Sequence, residues 1–562
     1  MYGRRGRCPQ GGVVHHHLRE TSQGTGAGRG TQLAKKSLLL WGCAAASLAL
    51  SVQAFAQSTT LPQVTVEGKS SKAAKKGTAK GAPKATPAPE PVQQVETTAA
   101  REKAKKEAVY TTPAAVSTAT KSEIDTFGQI NTGDVLRSMP GTYTRESPTN
   151  SGIAVNIRGM EGSGRVNMMI DGVRQNFRFT THEAQGLLYV DQALLAGIDI
   201  ERGAIATTGG AGALAGSANF RTLGIDDIIK PGNTTGVITT TSWGSNNQGF
   251  SEMVGAAVRG GGVAFGGAIS HREPDDYKNG DGRTIPFSSQ DIVSSLFKVE
   301  VGPSQYNRLT VGGVYYKNDF FAQSVDQTVE SAVYTAKYRY TSASNPLIDF
   351  RLNLSSSEVE MHYKAAIAPG GAAGRLINDQ GIGGDISNTS RFSFGALRVK
   401  AEYGAEYFKD DVVAKNLLTP ASGGGVNPSG ESAIAGLFSQ TTYSYGIFEF
   451  ISGLRYDTYQ LDGVFNAKAG NPLGIPVGDY VLDRSEGRLN PKATLAAQVT
   501  PWLQPYVTYA ESFRAPTVQE TMLGGTHPGG GTSFSPNPFL EPEIQKGWEF
   551  GANIRVNGLL VT

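Results

Sequence analysis

The chain has 562 residues, 71 of them Gly, only 2 Cys and a formal net charge of +3. That length exceeds one ordinary domain unless it forms a single very large barrel, and a bulk charge so near zero points to no nucleic-acid partner. Cys8 and Cys43 both lie near the start of the chain, so the rest has no disulfide and no thiol chemistry.

In chain order, the first feature is Lys35 and Lys36 followed by LLLWGCAAASLAL and SVQAFAQ. A basic region, a short apolar core and Ala-x-Ala before Gln57 predict a secretory signal cut after Ala56, with residues 1–56 forming an unusually long leader. The apolar core has fewer than the roughly 20 residues that a bilayer span needs. An exported chain without a membrane helix is either soluble outside the cytoplasm or a membrane β-barrel. Four histidines follow the leader: His182, His271, His362 and His527.

Residues 57–107 open with an isolated β-former segment, LPQVTVEG, made of Leu61, Pro62, Gln63, Val64, Thr65, Val66, Glu67 and Gly68. Between 69 and 107, ten Lys or Arg stand against four Glu among Ala, Gly and Pro. Such a composition buries too little apolar surface to offset its ordering entropy and predicts an extended, disordered, basic linker.

Residues 108–225 mix short strands and turns and predict a compact α+β domain. TFGQINTGDVLRSMPG reads as a short helix ended by Pro140 and Gly141. The GAGALA at 210–215 fits a loose G-x-G-x-x-A dinucleotide pattern, but no helix with a following βαβ unit comes after it.

From residue 226 to the end, segments of about ten residues alternate with period two between Gly, Asn, Asp, Ser and Pro turns. Tyr334, Tyr338 and Tyr340 share one face of AVYTAKYRYTS, and Lys337 and Arg339 share the other; Arg398, Lys400 and Glu402 oppose Leu397, Val399 and Tyr403. An apolar, aromatic-tipped face backed by a charged one is what a wide membrane barrel needs, with lipid outside and a wet lumen inside. Tight connections such as TSASNP alternate with long ones: HREPDDYKNGDGRTIPFSSQD, AAIAPGGAAGRLINDQGIGGDISNTS and the stretch around His527. Short turns belong on the periplasmic side and long loops outside.

These segments, in this order, resemble TonB-dependent outer-membrane receptors. LPQVTVEG resembles the energy-coupling TonB box, and NIRGMEGSGRVNMMIDGVRQ with IDIERGAIATTGGAGALAGSANFRT resembles the plug. The resemblance implies a 22-stranded transmembrane β-barrel family with an N-terminal α+β plug domain. It implies TonB and its inner-membrane energising complex as partner, outer-membrane lipid as surroundings, and no enzymatic activity. An exposed box can add a strand to the partner's sheet edge, and a basic linker lets it reach across the periplasm.

Within that family the chain resembles the haem and haemoprotein receptors, which carry a FRAP box and an NPNL box around a haem-binding histidine. Phe513, Arg514, Ala515 and Pro516 match the first box; Asn537, Pro538 and Leu540 match the second, with Phe539 where the family has Asn. His527 is the histidine between them. The resemblance implies haem as transported ligand with His527 on its iron, and His182, in RFTTHEAQG, as a second ligand from the plug apex. Tyr189 is an alternative second ligand that no motif supports, and His271 and His362 stand at the starts of expected external loops. A ferric-siderophore receptor and a non-transporting adhesin or fragment are the alternatives.

Residues 232–562 leave room for roughly 14 to 16 strands. The chain stops within an alternating segment, NIRVNGLLVT, without a terminal aromatic, so a C-terminally incomplete barrel that neither closes nor transports alone is expected.

Overall fold

A computed structural model describes residues 19–20 and 98–561, apart from 128–130, 148, 162–163, 176, 178–185, 305, 323–324, 367–372, 421–424, 527–532 and 557–558. Apart from Arg19–Glu20, the leader, the TonB-box segment 61–68 and most of the linker lie outside the described residues.

The linker's last residues depart from the expected disorder. Thr98–Val109, TAAREKAKKEAV, is a helix. Its Ala, Lys and Glu are strong helix formers, and it is tied to the domain that follows by a Lys106–Glu123 ion pair and by Ser122 Oγ donating to Glu102 at 2.8 Å. Composition counted its charge but not this anchorage.

The expected helix at 126–141 appears as two, Lys121–Phe127 and Thr132–Arg137. Asn131 caps the second, its side chain accepting from the Asp134 N–H at 3.0 Å. Past them, five strands form one small sheet in the order Val116–Thr120, Leu195–Arg202, Gly216–Thr222, Val166–Ile170, Val173–Arg174. All pairs are antiparallel except Val166–Ile170 with Gly216–Thr222. Ile157, Ile170, Leu194, Leu195, Ile198 and Phe220 are buried at its centre, each contributing about 1.5–3 kcal/mol by leaving water.

From Thr235 onward the chain builds 15 strands of a single sheet, a meander of antiparallel hairpins from Thr235–Gly244 to Leu559–Val561, and Arg19–Glu20, paired with Tyr480 and Val481, is the sixteenth among the described residues. Its outward face carries exposed Phe265, Tyr334, Ile386, Leu437, Trp548 and Phe550, the apolar, aromatic surface that lipid requires. The sheet curves around the small domain, which touches the inner face of strand after strand. The edge strands are not paired with each other among the described residues. The architecture is therefore a plug within a transmembrane-type β-barrel wall.

Strand length differs from the expected ten residues. Four strands run for 20: Arg375–Phe394, Leu397–Asn416, Phe448–Ala467 and Gly478–Ala497. At about 3.4 Å per residue and a tilt near 40°, they climb roughly 50 Å, about twice the ~25 Å apolar band. The stretch 365–390, expected as a long loop, is thus largely strand. Its glycines hid the alternation, and they are there for space: a Cβ on Gly383 would collide with the Phe408 ring and one on Gly384 with the Asn353 carbonyl.

Candidate functional site

At the long-loop end of the wall, the strand Leu503–Arg514 delivers the first motif. Phe513 is 2% exposed and packs on Tyr459 with ring centroids 6.3 Å apart. Arg514, 5% exposed, forks onto Glu520 at 2.8 and 3.0 Å and onto Glu543 at 3.1 Å. Glu543 also accepts from Arg165 of the plug at 2.9 Å. Ala515 and Pro516 lead into Thr517, which forms a capping box with Glu520 and starts the short helix Val518–Met522.

The second motif folds back on that helix. The Asn537 N–H donates to the Thr521 carbonyl at 2.8 Å, and the Leu540 carbonyl accepts from Arg484. Phe539 is 45% exposed, and its N–H donates to Asn537 Oδ1 at 3.3 Å; a role through the backbone accommodates Phe where the family has Asn. Between the motifs, Gly525–Thr526 pairs antiparallel with Ser533–Phe534. The two boxes thus anchor the base of a short antiparallel pair, Gly525–Thr526 with Ser533–Phe534, and His527 follows Thr526 in the sequence. His527 itself lies outside the described residues, as does His182.

The plug grips the wall through buried charge. Glu406, 3% exposed on Leu397–Asn416, accepts the backbone N–H of Gly209 at 2.7 Å and of Ala211 at 2.8 Å. Gly209 and Gly212 have φ of +83° and +67°, the left-handed turns that let successive N–H groups converge. Arg455, buried and paired with both Glu406 and Asp457, donates to the Thr207 carbonyl at 2.7 Å. Arg174 of the plug donates to the Ala211 carbonyl at 2.6 Å. The glycine segment that fits a dinucleotide pattern in sequence therefore presents its Ala211 N–H, with that of the preceding Gly209, to a barrel carboxylate. Glu406 was legible only as a continuation of the charged face of Arg398, Lys400 and Glu402; its role depends on the plug and has no local motif.

A second grip is Asp171, a non-Gly residue at φ +50°. It accepts from Thr222 N at 2.9 Å and pairs with Lys298 at 3.1 Å, while its carbonyl accepts from Lys337. Burial pushes the Asp171 carboxyl up, but Lys298, Lys337 and Thr222 outweigh it and hold the group below its ordinary value. Arg158 of the plug also pairs with Glu549 of the wall at 2.9 Å.

Tyr189 is 2% exposed between Phe177 and Tyr316, so it is core rather than a second ligand. His271 and His362 lie inside the strands Val263–Glu273 and Asp349–Ala366 rather than at loop starts, and His271 contacts Asp291 at 3.2 Å.

Two family models match the chain: "TonB-dependent Receptor Plug Domain" over residues 108–217 and "TonB dependent receptor-like, beta-barrel" over 266–562. A hemin receptor of Yersinia enterocolitica is 25% identical over 453 residues, covering 76% of this chain and 61% of its own length. A probable TonB-dependent receptor of Haemophilus influenzae is 38% identical over 175 residues, 28% of this chain and 19% of its own. The chain thus spans about three fifths of the length of the hemin receptor. Among solved structures, the Serratia marcescens hemophore receptor HasR, in complex with its hemophore HasA and heme, superimposes with a TM-score of 0.73 at 29% identity, over 80% of this chain and 71% of that one. The FrpB iron transporter of Neisseria meningitidis shares the fold at 16% identity and a TM-score of 0.62. With the barrel model alone matching more than half of the sequence and the plug model preceding it, the chain belongs to the TonB-dependent receptors.

Proposed function

We propose that this protein is an outer-membrane receptor of a Gram-negative bacterium that captures haem, free or from a haemoprotein, and admits it under the control of TonB. The observation that carries the reading is the platform made by 513–516 and 537–540, which anchors the hairpin bearing His527 at the long-loop end of the wall. Similarity to hemin receptors and to HasR supports the same ligand class. His527 supplies a neutral imidazole to ferric haem and His182 a second one. The 61–68 segment adds a strand to TonB, whose pull moves the plug.

Titrating haem into the purified chain and into His527→Ala, followed at the Soret band, tests this. The variant is expected to bind at least about tenfold more weakly, a loss of about 1.4 kcal/mol, with a shifted band. Equal affinity with an unchanged band would refute the assignment, and no Soret change with wild type would favour a ferric-siderophore receptor.

A further inference from the structure

The Glu406 anchor has the form of a receptor site filled by the protein itself. Two converging backbone N–H groups, Gly209 and Ala211, hold the carboxylate at 2.7 and 2.8 Å, and the Arg455 guanidinium completes its shell. Both ends of the segment are fixed as well, by Arg455 on the Thr207 carbonyl and by Arg174 on the Ala211 carbonyl. The Glu406 carboxylate thus takes two backbone donors and a cation that it shares with Asp457, in a buried setting where such bonds are strongest.

The occupant has a definite chemistry. A glutamate side chain is –CH2–CH2–COO⁻, the same group as each propionate arm of haem. The site is also adjacent to open space. A cavity runs from the 514–519 turn to Gly212 and Arg174, with Asp410, Tyr459 and Gln460 on its walls. The distance from the platform under the His527 hairpin to the glycine turn is therefore spanned by a cavity with a guanidinium on its lining.

We propose that the 209–211 turn of the plug, with Arg455 and Arg174, is a propionate-binding site that Glu406 fills at rest and that a haem propionate takes over as the cargo passes. Exchange of one propionyl carboxylate for another makes and loses equivalent hydrogen bonds, so it frees the plug segment from the wall without leaving the turn's N–H groups bare. The nature of the cargo rests on the haem reading above; the carboxylate site does not.

The test is chemical rescue. In the full chain in detergent, Glu406→Ala empties the site, and hydrogen exchange at the Gly209 and Ala211 amides is expected to accelerate. Sodium propionate should slow it again at least about tenfold, and propionamide, the neutral isostere, should not. Glu406→Gln, whose site stays filled, should not respond to propionate. Should Glu406→Ala fold poorly, its refolding yield in propionate against propionamide reads the same property. Equal effects of propionate and propionamide, no effect of either, or an equal response of Glu406→Gln overturns the site. In Glu406→Ala, haem should protect the same amides and haem dimethyl ester should not; equal protection overturns the cargo assignment while leaving the carboxylate site. A wild type that gives no Soret change while propionate rescue persists removes the haem reading alone.

Discussion

Arg514 shows what the FRAP motif does within the fold. Its fork holds Glu520 and Glu543, and Glu543 in turn holds Arg165, so one guanidinium ties the last described long wall strands, the capping helix and the plug together. Removing it leaves two carboxylates short of a partner. Breaking a fully buried pair costs about 3–5 kcal/mol, but these carboxylates are about a third exposed or less, at 25% and 35%, so Arg514→Ala should cost about 2–3 kcal/mol in chemical denaturation. Arg514→Lys should recover only part of it, since an ammonium lacks the planar fork that holds Glu520 through two nitrogens while a third reaches Glu543. Asp171 yields a prediction with a sign. Its folded value is depressed, so the stability it gives is present in full above the unfolded carboxylate range near 4 and is lost as pH falls through the lower folded value. Asp171→Asn keeps the left-handed turn and removes the charge. The variant should melt below wild type at pH 7, and the difference should shrink as pH drops below about 4; a gap that is constant with pH would contradict the account.

Among the elements, the strand Arg375–Phe394 was the one least legible in the sequence. A strand reads clearly where branched and aromatic side chains alternate with charges, as in 332–342, and poorly where glycine is demanded by a neighbour across the ladder. Gly383→Val, which β-propensity alone would favour, should instead lower stability by about 1–3 kcal/mol through collision with Phe408 and the Tyr407 carbonyl. Thermal or urea unfolding measures it; a stabilised variant would show that the ladder has room. The helix Thr98–Val109 was missed for the opposite reason, because its residues favour helix while the segment around it reads as a basic linker. The contacts of Lys106 and Glu102 with the plug distinguish the two.

For the molecule as a whole, periodicity carried most of the fold. Alternation with tyrosine on one face identified the wall, the order of short motifs identified the plug, and the outward and inward faces lie as the alternation requires. The site was legible only where its residues are contiguous. The FRAP and NPFL segments could be read because their partners are a few tens of residues apart, whereas Glu406 and Arg455 are brought to the 207–211 turn across about 200 residues or more by the packing of the wall against the plug. No local pattern encodes such a contact. The proposed haem site requires an imidazole from the wall, His527, and one from the plug, His182, on a single iron, so that the cargo itself bridges wall and plug. Electron paramagnetic resonance of the ferric-haem complex tests it most directly. The account predicts a low-spin, six-coordinate signal in the wild-type chain that turns high-spin, five-coordinate in both His527→Ala and His182→Ala; a spectrum that neither substitution changes would contradict it.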